Sequence, residues 1–466
     1  MIDTQALRQK VLDLAIRGKL TEQLPEDGTA EELYDKIQQE KQTLIKEGKI
    51  KKEKPLPPIT TDQIPFKVPG NWKWVKFGTA ITLISGVDFN ADEYNDAGRG
   101  IPYITGASNF FNGGILVNRW TETSQHIANE GDVLLVCKGS GYGKTAICNI
   151  QEAHIARQIM AVKKTDLLIM GYVLYFLKSN FNYLKSRGQG LIPGIDRNSV
   201  LNLLLPLPPL AEQKRIVEKL ESIFSALDKI DSLQSEYSDN LSALKTKIIE
   251  AGIQGKLTEQ LPEDGTAEEL YDKIQQEKQT LIKEGKIKKE KLLPPISEEE
   301  IPFALPGNWK WVRIGNIFTL KAGKNIAANK IHDVSDDEHQ YSCYGGNGIR
   351  GYVGQTNVSG FHVLIGRQGA LCGNINFAEG NFYATEHAVV VYDYAGTVTK
   401  WAGLTLRALN LNQYATSVAQ PGLAVNKIEK VLIPLPPLAE QKRIVAKLDT
   451  VLAIIDARQS HLEHCR

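Results

Sequence analysis

The sequence predicts an α+β protein, in which two globular α+β domains are separated by a pair of long antiparallel, coiled-coil-like helices with circular pseudo-two-fold symmetry. Two of the observations behind this prediction are repeats. Gly18 to Lys54 returns unchanged as Gly255 to Lys291, and Pro206 to Val217 returns as Pro434 to Val445. The third is that short apolar runs broken by Gly, Asn and Asp fill the sequence between the repeats, as is typical of strands joined by turns.

The composition limits the size and class of the protein. The chain has 466 residues, of which 42% are apolar, and this length supports two to four domains. The formal net charge is only +1. The unique segments 72–205 and 309–433 contain 13 Lys and Arg against 10 Asp and Glu, and 11 against 8, which leaves each about +3. This charge permits a basic face for nucleic acid but does not identify one.

Cysteine usage and hydropathy indicate the compartment. The five cysteines are widely spaced and contain no CxxC pair, and no signal-like apolar run begins the chain. We therefore expect a reduced, cytoplasmic protein. No window approaches 18 uninterrupted apolar residues, so we expect no membrane span.

The first segment, residues 1–54, is predicted to be the N-terminal part of a split helical region. Apolar spacing over Thr4 to Ile16 predicts a helix that Gly18 ends. A second helix is predicted to begin at an N-cap, Thr29, and to run to Gly48. Recurrent prolines then predict a linker over residues 55–71.

The two predicted domains cover residues 72–205 and 309–433, the second following a linker at 292–308. Both open on the same Asn-Trp-Lys-Trp-Val sequence. Strands are expected at Ile81 to Ile84, Ile101 to Thr105, Val133 to Val136, Val363 to Ile365 and Ala388 to Tyr392, and helices near Gly171 to Ser186 and Thr399 to Leu411. The stretches DVLLVCKGSGYGK and HVLIGRQGALCG align with one another, so the duplication extends into the domains.

A long helix is predicted in the central region, residues 206–291. Its apolar positions follow a 4,3 spacing, which indicates a heptad seam. These positions are Ile216, Leu220, Ile223, Leu227, Ile230, Tyr237, Leu241, Leu244 and Ile248. The 33 residues from 216 to 248 would span about 50 Å.

The repeat offsets supply a partner for this helix. They place both chain ends at the register of position 238, so the C-terminal helix (residues 434–466) and the N-terminal part together form a second, split helix. Its predicted seam positions are Ile444, Leu448, Val451, Ile455, Leu462, Cys465, Leu7 and Val11.

The repeated PLPPLAEQKRIV blocks, the GKLTEQ turns, the paired Trp positions and the motifs GDVLLVCKGSGYGKTAI and YGGNGIRGYVGQTN resemble those of Type I restriction-modification specificity subunits. The resemblance covers the whole chain. It implies that 72–205 and 309–433 are target-recognition domains that each read one half of an asymmetric bipartite DNA site. It also implies that the helices set the distance between the half-sites and dock two methyltransferase subunits.

The resemblance further implies that catalysis belongs to partners. Adenine methylation would use S-adenosylmethionine bound by the methyltransferase, and cleavage would use ATP and Mg bound by restriction/translocase subunits. The chain itself is expected to be non-catalytic and to bind no cofactor, since the sequence contains no amino-methyltransferase motif, glycine-rich cofactor loop or nuclease cluster.

Candidate DNA contacts are polar residues on glycine-rich turns, because base edges and phosphates are reached by long hydrogen-bonding side chains on loops. They are Lys138, Ser140, Tyr142, Lys144, Arg187, Gln189, Asn347, Arg350, Arg367 and Gln368. The alternative for each turn is a structural loop whose polar residues are solvated. The sequence GKT at 143–145 does not belong to a P-loop, since the position that requires the first Gly is Lys138.

Two other sets of polar residues are interpreted structurally. Asn198 and Asn426 precede a helix or strand and are expected to act as N-caps or turn residues. His332, His339, His362 and His387 have irregular spacings, so no metal site is assigned.

A function of another class is a coiled-coil scaffold whose two domains bind protein or glycan ligands. Such a scaffold would not retain DNA sequence-selectively, and its binding would lack the steep salt dependence that phosphate contacts impose. An enzyme in its own right would need catalytic groups that the sequence does not show.

Overall fold

The computed structural model describes residues 2–111, 113–139, 141–186, 194–369, 371–416 and 422–463. The chain divides into two compact units, Ile2–Leu233 and Gln234–Arg466, called here the N-terminal and C-terminal units. Both contain helices and sheets, so the α+β prediction is confirmed. None of the described helices combines the length and the apolar character needed to cross a membrane.

The N-terminal unit combines scaffold helices with one globular domain. Its helices are α1 (Thr4–Ile16), α2 (Ala30–Lys46), α3 (Phe77–Ala80), α4 (Met170–Ser179), α5 (Phe181–Ser186), α6 (Arg197–Leu201) and the first part of α7 (Leu210–Ile253). Its strands are β1 (Lys73–Lys76), β2 (Leu83–Ser85), β3 (Ile101–Ile104), β4 (Phe110–Phe111), β5 (Gly114–Ile115), β6 (Trp120–Thr121), β7 (Ile127–Asn129), β8 (Val133–Val136), β9 (Thr145–Ile147), β10 (Glu152–Ile155), β11 (Ile159–Val162) and β12 (Leu204–Leu207).

The C-terminal unit repeats this organisation. After the rest of α7 come α8 (Ala267–Lys283), α9 (Ile314–Ile317), α10 (Thr399–Ala408), α11 (Val425–Ile428) and α12 (Leu438–Glu463). Its strands are β13 (Lys310–Arg313), β14 (Thr319–Ala322), β15 (Tyr341–Gly345), β16 (Gly348–Val353), β17 (Val358–Ser359), β18 (His362–Gly366), β19 (Ile375–Ala378), β20 (Asn381–Ala384), β21 (Ala388–Tyr392) and β22 (Leu432–Leu435).

Each globular domain contains two four-stranded sheets of matching topology. The orders are β6-β3-β10-β7 and β2-β11-β8-β9 in the first domain, and β16-β15-β20-β17 and β14-β21-β18-β19 in the second. In each domain one pair is parallel, β3 with β10 and β15 with β20. An antiparallel pair, β1–β12 or β13–β22, joins the strand that enters the domain to the strand that leaves it.

The cores follow from strand alternation. In β8, Val133 and Leu135 pack with the helices, whereas Leu134 faces the core shared with the other sheet. Strand β18 does the same with Val363 and Leu364. Since successive side chains of a strand point to opposite faces, each central sheet lies between a helical layer and a second sheet.

The helices α2 and α8, which follow the two GKLTEQ turns and are called here the return helices, begin as their sequence predicts. Thr29 accepts a hydrogen bond at Oγ1 from the Glu32 amide (3.3 Å), and Glu32 accepts one from the Thr29 amide (3.4 Å), which forms a capping box. Gly48 follows the helix with φ of +72°, a conformation that favours glycine.

Two sequence expectations about local structure are wrong. Residues 81–82 are not in a strand, because the chain forms the short helix α3 first and β2 begins only at Leu83. Asn198 and Asn426 lie inside α6 and α11, whose N-caps are Asp196 and Ala424. Asp196 accepts from the Ser199 amide (2.9 Å), so a neighbouring carboxylate takes the capping role predicted for the amide.

The helix α7 is continuous over 44 residues and extends beyond the predicted range at both ends. In the N-terminal unit its buried apolar residues include Ile216, Leu220 and Leu227, while Ile223 and Ile230 are half-buried.

The seam of α7 within the C-terminal unit differs from the prediction. Leu241 is buried, but Tyr237 and Leu244 are each 45% exposed. Lys245 is paired with Asp456 of α12, and Ser242 accepts a hydrogen bond from Gln459 (3.1 Å). These polar pairs between the helices turn a different face of α7 toward α12 than the apolar spacing alone predicts.

The helices α12 and α1 bear the remaining predicted seam positions. Ile444, Leu448 and Ile455 are buried and Val451 is half-buried. Leu7 is 42% exposed, contrary to its predicted place on the seam. The side chain of Leu462 and the whole of Cys465 lie outside the described residues.

Candidate functional site

Three turns of the second domain surround a cleft of about 710 Å³. They are the β15–β16 turn, the β18–β19 turn and the β20–β21 turn. The cleft is lined by glycines, polar side chains and one isoleucine, namely Gly345, Gly346, Asn347, Gly348, Ile349, Arg350, Gln368, Gly369, His387 and Gly422.

The glycines let these turns approach one another backbone to backbone. A Cβ on Gly346 would lie 3.1 Å from the Gln368 carbonyl oxygen and 3.3 Å from that of His387. A Cβ on Gly366 would lie 2.0 Å from the Gly346 carbonyl oxygen, a separation that no side chain tolerates. The glycine run therefore brings the polar residues of separate turns to one place.

Polar atoms without partners are concentrated beside this cleft. Among the described residues, seven buried side-chain polar atoms lack a hydrogen-bond partner, and four of them belong to Asn376, Thr385, Glu386 and His387. An unsatisfied buried polar group costs about 1–3 kcal/mol, so such a cluster indicates that a polar ligand or water completes the site.

Three of the candidate contacts in the second domain meet at the cleft. Asn347, Arg350 and Gln368 are exposed, and the Asn347 side-chain oxygen accepts a hydrogen bond from Asn374 (3.2 Å). Arg367 is half-buried, and its backbone amide donates to the His387 carbonyl oxygen (2.8 Å). The backbone of Arg367 thus connects the β18–β19 turn to the β20–β21 turn, and its side chain is not needed for this contact.

The first-domain candidates that the structure describes lie on the hairpin between β8 and β9. Lys138 and Lys144 are exposed. Tyr142 is half-buried and packs against the core and Phe181, with ring centroids 6.4 Å apart. The hairpin therefore exposes two lysine side chains, and the packing of Tyr142 holds the hairpin against the core. Ser140, Arg187 and Gln189 lie outside the described residues.

The two hairpins occupy matching places in their domains. Lys138 forms an isolated backbone bridge to Gly194, and Gln368 forms the same bridge to Gly422. A lysine in the first domain thus corresponds to a glutamine in the second.

Sequence reasoning missed the turns that follow β10 and β20. Their residues are Ala156-Arg157-Gln158 in the first domain and Thr385-Glu386-His387 in the second. The Gln158 side-chain oxygen lies 3.5 Å from a Cβ built on Gly139, which places it beside the lysine-bearing hairpin. An alignment of AHIARQIM with FYATEHAV at an offset of 229 residues could have found this pair of turns.

A second site, in the scaffold, brings the repeated blocks together. Glu212, in the first turn of α7, is fully buried. Its carboxylate accepts hydrogen bonds from Trp72 Nε1 (2.8 Å), Gln23 Nε2 (2.9 Å) and Thr21 Oγ1 (3.1 Å). One buried anion therefore joins the long helix, the GKLTEQ turn and the first tryptophan of the domain.

The C-terminal unit contains the same arrangement. Glu440 accepts from Trp309 Nε1 (2.7 Å), Thr258 Oγ1 (2.9 Å) and Gln260 Nε2 (2.9 Å). Gln441 accepts from the Val398 amide at the start of α10 (3.0 Å) and so ties the domain to α12.

An ion pair adds to each of these junctions. Arg215 forms two hydrogen bonds to the buried carboxylate of Asp27 (2.7 and 2.5 Å), and Arg443 forms two to Asp264 (both 2.5 Å). The hydrogen bond from the guanidinium lowers the pKa of each aspartate. Nearly every polar residue of AEQKR therefore has a structural partner.

Two lysines, of which Lys41 is half-buried and Lys278 buried, make the third duplicated contact. The Lys41 ammonium donates to the carbonyl oxygens of Gly78 (2.9 Å) and Ile81 (2.8 Å) around α3. Lys278 donates to the carbonyl oxygen of Gly315 (2.8 Å) beside α9. Burial lowers the pKa of both ammonium groups. Each return helix is thus fixed to the domain that follows it.

Two of the second-domain histidines, whose irregular spacing gave no metal assignment from the sequence, lie side by side. His332 and His339 stack with ring centroids 3.6 Å apart, beside Asp336. Their loop brings together side chains that are seven positions apart in the sequence.

Comparisons with known proteins connect this architecture to a family. The family described as "Type I restriction modification DNA specificity domain" matches residues 69–235 and 306–464. The EcoAI specificity subunit of a Type I restriction enzyme from Escherichia coli is 29% identical, over 96% of this chain and 88% of that protein. The EcoprrI specificity subunit from Escherichia coli is 49% identical over 136 residues, which are 29% of this chain and 34% of that protein.

Two solved structures share the fold. One comes from work on complex assembly and conformational transition of a Type I R-M system, and has a TM-score of 0.62 and 19% identity over 86% of this chain and 95% of that one. The other is the HsdS subunit from Thermoanaerobacter tengcongensis, with a TM-score of 0.51 and 20% identity over 86% of this chain and 93% of that one.

Proposed function

Since the chain belongs to the Type I restriction-modification DNA specificity family, we propose that it is the subunit that recognises the DNA sequence in a Type I restriction-modification complex. The observation that carries the proposal at the level of residues is the cleft of the second domain. There, three exposed hydrogen-bonding side chains stand beside four buried polar atoms without partners. Base edges in the major groove present a dense set of donors and acceptors that could complete such a site.

The side chains divide by the contacts that their chemistry favours. Arg350 suits a bidentate contact with guanine, and Asn347 and Gln368 suit adenine. Lys138 and Lys144 in the first domain suit phosphates, which fix the register of the protein on DNA. Lys138 of the first domain thus suits a phosphate, whereas the matching Gln368 of the second domain suits a base. The two half-sites therefore differ, and the whole site is asymmetric and bipartite.

The duplicated scaffold supports two copies of the methyltransferase partner. The contacts around Glu212 and around Glu440 match one another. Each unit therefore offers a partner the same arrangement of helix and GKLTEQ turn, called here the framework. We propose that one methyltransferase subunit docks on each framework, and that the continuous α7 fixes the distance between the half-sites.

Chemistry would reside in these partners. Methylation of adenine would use S-adenosylmethionine in the methyltransferase, and a restriction subunit would add ATP- and Mg-dependent translocation and cleavage, while this chain binds none of these cofactors and catalyses no step. The four cysteines among the described residues are free and buried, which fits a reducing cytoplasm.

Two measurements test this function. The chain should form a complex with two copies of its methyltransferase, which native mass spectrometry would count, and a one-to-one complex at saturation would contradict the docking proposal. Mapping of methylated adenines in the host genome, with and without the gene, should show one asymmetric bipartite motif disappearing. A motif that persists would contradict sequence recognition by this chain and favour the scaffold that binds protein or glycan.

A further inference from the structure

The loop that precedes β15 in the second domain carries three groups that can ligate a metal ion. His332, Asp336 and His339 each offer one nitrogen or oxygen atom, and these atoms all lie within 4.8 Å of one another. The residues come from one loop of ten positions, 331–340, so no distant element has to move to bring them together.

Hydrogen bonds hold this loop in shape. The His332 backbone amide donates to the Tyr352 carbonyl oxygen (3.0 Å) and its carbonyl accepts from the Tyr352 amide (2.8 Å), which fixes the start of the loop to β16. The Asp336 carboxylate accepts from the backbone amides of Glu338 (2.9 Å) and His339 (2.7 Å). The three side chains are therefore placed by contacts of the chain itself.

The spacing is close to that of a first coordination shell. A tetrahedral ion with bonds of about 2.0–2.2 Å separates its ligand atoms by roughly 3.3–3.6 Å. His339 Nδ1 lies 2.9 Å from an Asp336 oxygen, and the two imidazole rings are 3.6 Å apart with planes 22° from parallel. Binding would require both rings to rotate out of the stack, so that a nitrogen of each points toward a common point.

The chemistry of the donors selects the ion. Imidazole suits Zn²⁺ and its first-row neighbours, whereas Mg²⁺ and Ca²⁺ prefer oxygen ligands. We propose that His332, Asp336 and His339 bind one divalent first-row transition-metal ion such as Zn²⁺, with water in the remaining positions. The half-buried histidines and the exposed aspartate leave the site open to ions from solvent.

The bound ion would stabilise β16, which forms part of the cleft. The site is anchored to β16, which also carries Arg350, and the turn before β16 carries Asn347. In the first domain the residue that forms the same pair of backbone bonds, with Trp120, is Asn95, so that position offers no imidazole. The inference concerns the second domain alone and does not depend on what the cleft binds.

The experiment is a titration of the full chain, purified without a histidine tag, with ZnCl₂ followed by calorimetry. We expect one equivalent to bind, a rise in the thermal unfolding temperature, and Co²⁺ absorption bands typical of nitrogen and oxygen ligands without thiolate. His332→Ala and His339→Ala should each weaken binding about tenfold or more. Asp337→Asn removes a charge from the same loop but no ligand, and should bind as the wild type does.

Three outcomes would overturn the proposal. They are a wild-type chain that binds no ion, histidine variants that retain the full affinity, and an Asp337→Asn variant that loses as much affinity as they do. Circular dichroism of each variant separates loss of the site from loss of folding.

Discussion

Glu212 and Glu440 show how a few residues connect the repeated blocks of the chain. Each carboxylate is completely buried and accepts hydrogen bonds from three side chains, two in the GKLTEQ turn and one a tryptophan at the start of the domain. A buried anion is stable only when hydrogen bonds replace its lost hydration. The identity of the GKLTEQ and AEQKR blocks in both copies is thus explained at these positions by shared contacts.

The substitution Glu212→Gln tests the junction. The amide keeps the size of the side chain but offers one oxygen and two N–H groups to three donors, so a buried donor loses its partner. We expect the N-terminal unit to lose about 2–3 kcal/mol of stability, measured by urea unfolding followed through tryptophan fluorescence. Glu218→Gln, on the exposed side of the same helix, is the matched control. Equal loss in both variants would contradict the role of the junction.

The ion pairs beside these junctions predict an acid sensitivity. The pKa values of Asp27 and Asp264 are lowered in the folded protein, so the folded state binds fewer protons than the unfolded state. Their stabilisation is complete above the ordinary pKa of about 3.9 and is lost as the pH falls through the lowered values. The free energy of unfolding by urea, measured between about pH 5 and pH 2, should fall more steeply for the wild type than for the Asp27→Asn, Asp264→Asn double variant. Identical slopes would contradict the assignment.

Lys138 and Gln368, which occupy matching positions, should differ in their effect on DNA binding. Lys138→Ala removes a phosphate contact, so affinity should fall for all sequences and the logarithmic salt slope should fall by about 1. Gln368→Ala removes a base contact, so about 1–3 kcal/mol of discrimination should be lost at one base pair of the second half-site. Fluorescence anisotropy with single-base site variants measures both effects in the methyltransferase complex. A salt-slope change in the Gln368 variant instead would contradict the division.

Some of these residues could be predicted from the sequence and others could not. The Thr29 and Glu32 capping box is a local pattern, and the glycine-rich hairpin at Lys138 is visible from its flanking strands. Glu212 looks like any acidic residue in the first turn of a helix, and only the tertiary contacts show that it is buried. His332 and His339 depend in the same way on a loop whose path no periodicity specifies.

At the scale of elements, apolar spacing predicts the long helix α7 but not the whole of its contact face. Leu227 and Leu241 are buried as their spacing predicts, whereas Leu244 is exposed while Lys245 pairs with Asp456. The spacing of apolar residues predicts which face of a helix would contact its partner in an ideal heptad repeat. Polar pairs between the helices can shift the contact to a different face. The existence of an element is therefore more predictable than its rotation.

The variant Leu227→Pro tests the continuity of α7. Proline removes a helical hydrogen bond and clashes with the preceding turn, at a cost of about 3 kcal/mol or more. We expect methylation of the bipartite site to be lost while both globular domains stay folded, as shown by protease-resistant fragments and circular dichroism. Leu227→Ala loses side-chain packing but keeps the helix, and should retain measurable methylation. Retained methylation in the proline variant would contradict a spacing role for the helix.

At the scale of the whole molecule, the duplicated junctions imply that either domain fits either framework. The Trp72–Glu212 and Trp309–Glu440 contacts are alike, and the return helices hold both domains through Lys41 and Lys278. The domains differ in much of the rest of their sequence, including the matched hairpins, where Lys138 corresponds to Gln368. Under the proposed function, scaffold and recognition are carried by separate residues, so we expect the domains to be exchangeable.

Replacing residues 72–205 with a second copy of residues 309–433 tests this separation. Because each entering tryptophan and each paired β-strand keeps its partner, we expect the chimera to fold and to bind two methyltransferase subunits. It should methylate a site built from two copies of the second half-site, which mapping of methylated adenines would identify. The reverse chimera, with two copies of residues 72–205, is the matched control and should methylate a site built from the first half-site. If both chimeras assemble with the methyltransferase but still methylate the parental asymmetric site, the domains do not determine the sequence that is read.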